Sequence, residues 1–139
     1  MPSKKEISIP YSFFYSYSSL KPVIKVKFSE RENQLISCLL DSGADVSTFP
    51  ASIGRAIGIN FDDEDPIENA PKQISGKIGF KCWEVPKTIS FPWQEETITL
   101  PIIWVDSNDV DPVLGRKGFF DKFEEVAFCE KKHVIKLRK

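Results

Sequence analysis

The stretch Leu39-Leu40-Asp41-Ser42-Gly43-Ala44-Asp45 places a carboxyl where an apolar run breaks into a tight turn. Leu35-Ile36-Ser37-Cys38-Leu39-Leu40, just before it, reads as a fully buried strand, so Asp41 falls at the strand's end. Desolvation at such a position favours the protonated acid, and a second carboxyl nearby favours one proton shared between the two. A pair of that kind does general acid–base work on a water, with no covalent intermediate. Asp-Ser-Gly is also common in ordinary turns, because Asp and Ser bond nearby backbone and Gly accepts positive φ. The apolar strand ahead of it sets this copy apart, since surface turns seldom put an acid directly after such a run.

A second signal lies downstream. Val113-Leu114-Gly115-Arg116 precedes Phe119-Phe120. Alone it reads as a strand that ends in a glycine and enters a short helix. Between the two motifs, Pro71-Lys72-Gln73-Ile74-Ser75-Gly76-Lys77-Ile78-Gly79-Phe80 carries glycines suited to a hairpin turn. In this order and spacing the three segments resemble the retropepsin-like aspartic proteases, over about residues 21–128. Phe119-Phe120-Asp121-Lys122-Phe123 resembles small prokaryotic-type members more than viral ones.

That resemblance implies an all-β fold, a retropepsin-like acid protease barrel. It is expected as a single lobe with one short helix after the Gly-Arg motif, working as a twofold dimer. The activity implied is that of an aspartic endopeptidase, hydrolysing peptide bonds by a water activated between Asp41 of two subunits. Ser42 would hydrogen-bond across the twofold axis, and Gly43 would let backbone approach the acids. Ala44 would border the cleft. Asp45 would pair with Arg116, beside Gly115, as support for the loop. Ile74, Ser75, Gly76, Lys77, Ile78 and Gly79 would form a flap over the peptide, with a polar Lys77 where retroviral relatives carry an apolar residue. The alternative is a binding or dimerisation module that kept the fold with weak activity or none, because fold alone does not establish function.

A chain of 139 residues makes one domain with a modest core. The acidic motif occurs once. Val105-Asp106-Ser107-Asn108 looks similar, but Asn108 stands where the glycine would be, so it reads as a loop before Asp111-Pro112. One acid per chain requires a second copy, and the expected partners are therefore a homodimer mate and a peptide or protein substrate.

The remaining elements read as mostly strand. Val23–Phe28 alternates apolar residues with Lys25 and Lys27, and Ser29 to Asn33 is a polar turn. Ser47-Thr48-Phe49 is a strand that Pro50 ends, and residues 51–57 form a short helix closed by Gly58. Residues 60–69 are an acidic loop. Strands are expected over 80–85, 88–91 and 97–105, with Trp93 to Glu96 turning the last two. Residues 116–122 are the leading helix candidate, and 126–128 with 133–137 close as a hairpin around Glu130-Lys131-Lys132. Residues 1–20, with Tyr11, Phe13, Phe14, Tyr15 and Tyr17 among serines, are set apart from a protease domain over 21–139. They are expected to add a strand or to cover an apolar edge.

Composition narrows the partners. A net charge of −1 provides no electrostatic attraction for nucleic acid or a membrane surface. No apolar run is long enough to cross a bilayer and none has signal-peptide form, so the expected location is cytoplasmic. Cys38, Cys82 and Cys129 are odd in number and widely spaced, which argues against a disulfide framework or a zinc site, and no cofactor or metal is expected. His133, the single histidine, lies among lysines and reads as a surface residue, which leaves Cys or Ser without the base a nucleophilic mechanism needs.

Overall fold

The computed structural model describes residues 5–67 and 80–139. In chain order its elements are β1 (Glu6–Pro10), β2 (Ser12–Phe13), β3 (Leu20–Lys21), β4 (Val23–Phe28), β5 (Ile36–Leu40), β6 (Ser47–Pro50), α1 (Ala51–Ala56), β7 (Cys82–Glu84), β8 (Lys87–Phe91), β9 (Gln94–Leu100), β10 (Ile102–Val105), β11 (Val113–Leu114), β12 (Glu125–Cys129) and β13 (Val134–Arg138). Eight strands join in the order β7-β10-β6-β11-β5-β4-β8-β9 and curl into a half-barrel.

Two strand environments explain the burial pattern. In β4, Ile24, Val26 and Phe28 turn inward while Lys25 stays exposed. The strands β6 and β10 pair in parallel inside the sheet, flanked by β11 and β7, and every residue of both is buried. Phe28, Phe49, Phe61 and Trp104 meet between these strands and α1, with ring centroids 5.4–6.0 Å apart in the pairs that touch. Gly54 of α1 packs against this cluster so closely that a Cβ there would lie 2.7 Å from the Phe61 ring and 2.9 Å from Trp104.

Some expectations shift. The α-helix lies at Ala51–Ala56, with Gly58 at φ 100° just beyond it, whereas the segment after the Gly-Arg motif forms only a 3-10 turn at Phe120–Lys122. Gly118 explains this: its φ of 89° leaves the helical path, and Pro101 and Leu100 fill the space a side chain would need. Its N–H donates to Asp121 Oδ1 at 3.1 Å, and Phe119 and Phe123 are drawn into the core. The strand expected over 97–105 is two. Pro101 lacks the N–H that a continuous ladder needs, so β9 ends on its hairpin with β8 and β10 starts its pairing with β6. The turn before β9 is Pro92-Trp93 alone, and the strand starts at Gln94.

The chain's first strand is built into the fold. It pairs antiparallel with β13 from Glu6↔Arg138 to Pro10↔Val134, and β12 covers the other edge of β13. Tyr11 and Phe14 are buried, whereas Phe13 and Tyr15 are exposed. The expected C-terminal hairpin forms, but His133 stands in its turn at φ 53°, exposed, and the strand starts at Val134. Among the described residues no helix is long and apolar enough to cross a membrane.

Candidate active site

Strand β5 carries the acid to the surface. Ile36, Cys38 and Leu40 point into the core, and the next residue, Asp41, is exposed. The fully buried strand expected over residues 35–40 is half-buried instead, with Leu35 exposed and Ser37 and Leu39 turned away from the core, and the turn after Leu40 leaves Asp41 exposed in the single chain. The backbone here is still closely held. Asp41 N–H donates to Leu114 O at 3.1 Å, extending the β5–β11 ladder one residue past the strand, and Ala44 N–H returns to Asp41 O at 3.1 Å. Gly43 N–H donates to Asp41 Oδ1 at 2.8 Å, a charge-assisted bond that orients the carboxylate. A Cβ on Gly43 would sit 3.2 Å from that same oxygen and crowd it.

The second motif locks the loop from below. β11 lies between β5 and β6, parallel to the first (Val113↔Leu39, Leu114↔Leu40) and antiparallel to the second (Val113↔Thr48). It therefore reaches both ends of the 41–46 loop. Beyond it, Arg116 N–H donates to Ala44 O and Lys117 N–H to Asp45 O, each at 2.9 Å. Gly115 is buried beneath the loop, where a Cβ would meet Val46 O at 2.5 Å and Ala44 O at 2.9 Å. Val46 packs onto a small apolar cluster of Cys82, Ile103 and Val105, which holds the far end of the loop.

The structure thus brings Asp41, Gly43, Ala44, Asp45, Gly115 and Arg116 together. The Arg116 guanidinium forms an ion pair with Asp45 Oδ1, and both side chains are more than half exposed. Ser42 is exposed at the tip of the turn. The expected flap residues, Ile74 to Gly79, lie outside the described residues. Cys38 is fully buried three residues before Asp41, and burial pushes its thiol well above the ordinary range, which leaves it neutral and unreactive. Ser47 was not among the residues singled out from sequence. It is fully buried, and its Oγ accepts the Gly115 N–H at 3.1 Å. The sequence carried no signal that singles it out, because Ser47 and Thr48 open the strand together, and only the fold shows that the buried Ser47 hydroxyl has a partner.

No protein-family model matches the sequence, and no curated protein matches it. Solved structures do match. The chain is similar to a retropepsin-like aspartic protease from Rickettsia conorii, with a TM-score of 0.65 at 11% identity, over 99% of this chain and 95% of that one. It is also similar to the retroviral protease-like domain of Ddi1 from Leishmania major, with a TM-score of 0.53 at 11% identity, over 80% of this chain and 82% of that one. The fold is retropepsin-like, and these structural neighbours are an aspartic protease and a protease-like domain.

Proposed function

We propose that this chain is an aspartic endopeptidase that works as a twofold homodimer, each subunit contributing Asp41. The observation that carries the reading is the Asp41 carboxylate itself. It stands exposed at the end of a strand whose alternate residues are buried, aimed by the Gly43 amide at 2.8 Å, on a loop bonded to residues 114–117. The Asp-Ser-Gly motif occurs once in the sequence, and a symmetric copy supplies the second acid. The exposure of Asp41 suits a site that is finished, and dried, only by the second subunit.

In the dimer, two carboxyls at close range hold one proton between them, because two adjacent negative charges repel. The ionised acid takes a proton from a water lying between them as that water attacks the peptide carbonyl carbon. The protonated acid donates to the carbonyl oxygen, and a proton passes to the departing amine as the C–N bond breaks. Ser42, at the tip of each turn, is suited to bond the opposite loop. Ala44 borders the cleft, and the Arg116–Asp45 pair stiffens the loop edge. Residues 74–79 act as the flap over an extended peptide, which binds through backbone hydrogen bonds and side-chain pockets.

The deciding experiment is Asp41→Asn assayed on a peptide library. Loss of cleavage by about 10³-fold or more, with the far-ultraviolet spectrum and dimer content unchanged, supports the dyad. An unchanged turnover number in that variant eliminates it.

A further inference from the structure

We propose that Ser47 is a positioning residue for the Asp41 dyad, acting through the amide of Gly115; this rests on the peptidase reading above. The geometry of the strand ends makes the hydroxyl necessary. Strand β11 is two residues long, Val113 and Leu114, and lies between β5 and β6. At Gly115 the chain turns beneath the 41–46 loop, and the Gly115 N–H finds its acceptor in Ser47 Oγ at 3.1 Å. Both residues are buried, so no solvent is at hand to take that N–H if the hydroxyl is removed. Gly115 has no room to shift toward the loop, because the Val46 and Ala44 carbonyls already fill the place of a Cβ.

The consequence reaches the acid through bonded backbone. Arg116 and Lys117, the next two residues, donate to Ala44 O and Asp45 O, and Leu114, the residue before, accepts from Asp41 N. Every one of these bonds keeps its length only while Gly115 keeps its place. Ser47 Oγ is the side-chain contact that sets that place. A small displacement here moves the turn that aims Asp41 Oδ1 at the Gly43 amide. The dyad tolerates little of this, since a misplacement of about 1 Å at reacting groups can cost about 100-fold in rate. Ser47 is fully buried and cannot itself touch a peptide, so loss should fall on turnover and not on binding.

The test uses the full chain with an isosteric pair, Ser47→Thr and Ser47→Val, which add similar bulk and differ in the hydroxyl. On a cleaved peptide, at protein concentrations where the dimer is saturated, Ser47→Thr is expected to exceed Ser47→Val in kcat by about 10-fold to about 100-fold. KM should agree within about threefold, and the acid limb of the kcat/KM profile should shift in the valine variant alone, because the shared proton reports the spacing of the two carboxyls. A purely structural role would lower the amount of folded protein and leave kcat per folded dimer and the pH profile untouched. Equal kcat and equal pH profiles in the two variants overturn the inference. Should Ser47→Val fail to fold, hydrogen exchange in the unaltered protein decides: slow exchange of the Gly115 amide supports the bond, and exchange as fast as at exposed Ser42 overturns it. A wild-type chain that cleaves no peptide sinks the peptidase reading and this role within it; an active wild type with matched variants sinks the role of Ser47 alone.

Discussion

Asp41 carries the proposed chemistry, but glycine decides whether it can be used. Gly115 has the tightest surroundings in the site, with Val46 O only 2.5 Å from where a Cβ would be. Gly115→Ala therefore has to push the loop and β11 apart. We expect it to lower unfolding free energy by about 3 kcal/mol, read by urea denaturation, and to abolish cleavage with it. A variant as stable as the wild type would show that the loop yields freely. The Arg116–Asp45 pair is a weaker support than its place in the motif suggests, because both partners are more than half exposed and solvent screens them. Asp41 stood out in the sequence because an acid seldom follows an apolar run directly, whereas Gly43, Asp45, Gly115 and Arg116 were expected only through the resemblance to the retropepsin-like proteases. Ser47 was not, because its partner Gly115 is 68 residues away and only the fold joins them.

Elements show where local propensity yields to packing. Alanine is the better helix former by about 1 kcal/mol, yet Gly54→Ala in α1 would place a methyl 2.7 Å from the Phe61 ring. Overpacking of that kind costs about 1–3 kcal/mol, so the variant is expected to lose stability by thermal denaturation; a rise in Tm would mean that the aromatic cluster shifts at little cost. The N-terminal strand offers a second test. Tyr11 follows β1, is buried, and donates to Glu130 Oε2 at 3.0 Å; burial first, then that bond and the Glu130 charge, push its hydroxyl up to about 12. The folded state thus holds this proton more tightly than the unfolded one. The stabilisation is complete below about pH 10 and is lost as pH rises toward about 12. Wild-type unfolding free energy should therefore fall more steeply across that window than that of Tyr11→Phe. Parallel slopes would show that the hydroxyl titrates alike in both states. Strand existence was readable from alternation in β4 and from the apolar runs of β5 and β10. The helix expected after Arg116 was not realised, because the left-handed φ of Gly118 depends on Pro101 and Leu100 packed against it.

The whole molecule is half of the machine proposed for it. If each site needs two copies of Asp41, specific activity should rise with protein concentration until the dimer is saturated. Activity strictly proportional to protein across the dissociation range, measured by sedimentation on the same samples, would refute a shared site. The first strand is paired to the last within one chain, so β13 has both of its edges filled by β1 and β12 of the same subunit. By itself the sequence determined the chemistry on offer and its order along the chain: an acid closing an apolar run, a Gly-Arg after another, and no second acid motif. Those are local properties, set by residue type, period and turn chemistry. Tertiary structure alone decided that β11 slides between β5 and β6, that Gly115 lies beneath the acid's loop, and that a serine hydroxyl fastens the two. Such contacts join residues far apart in the chain, and no local pattern encodes which distant backbone group will need a partner.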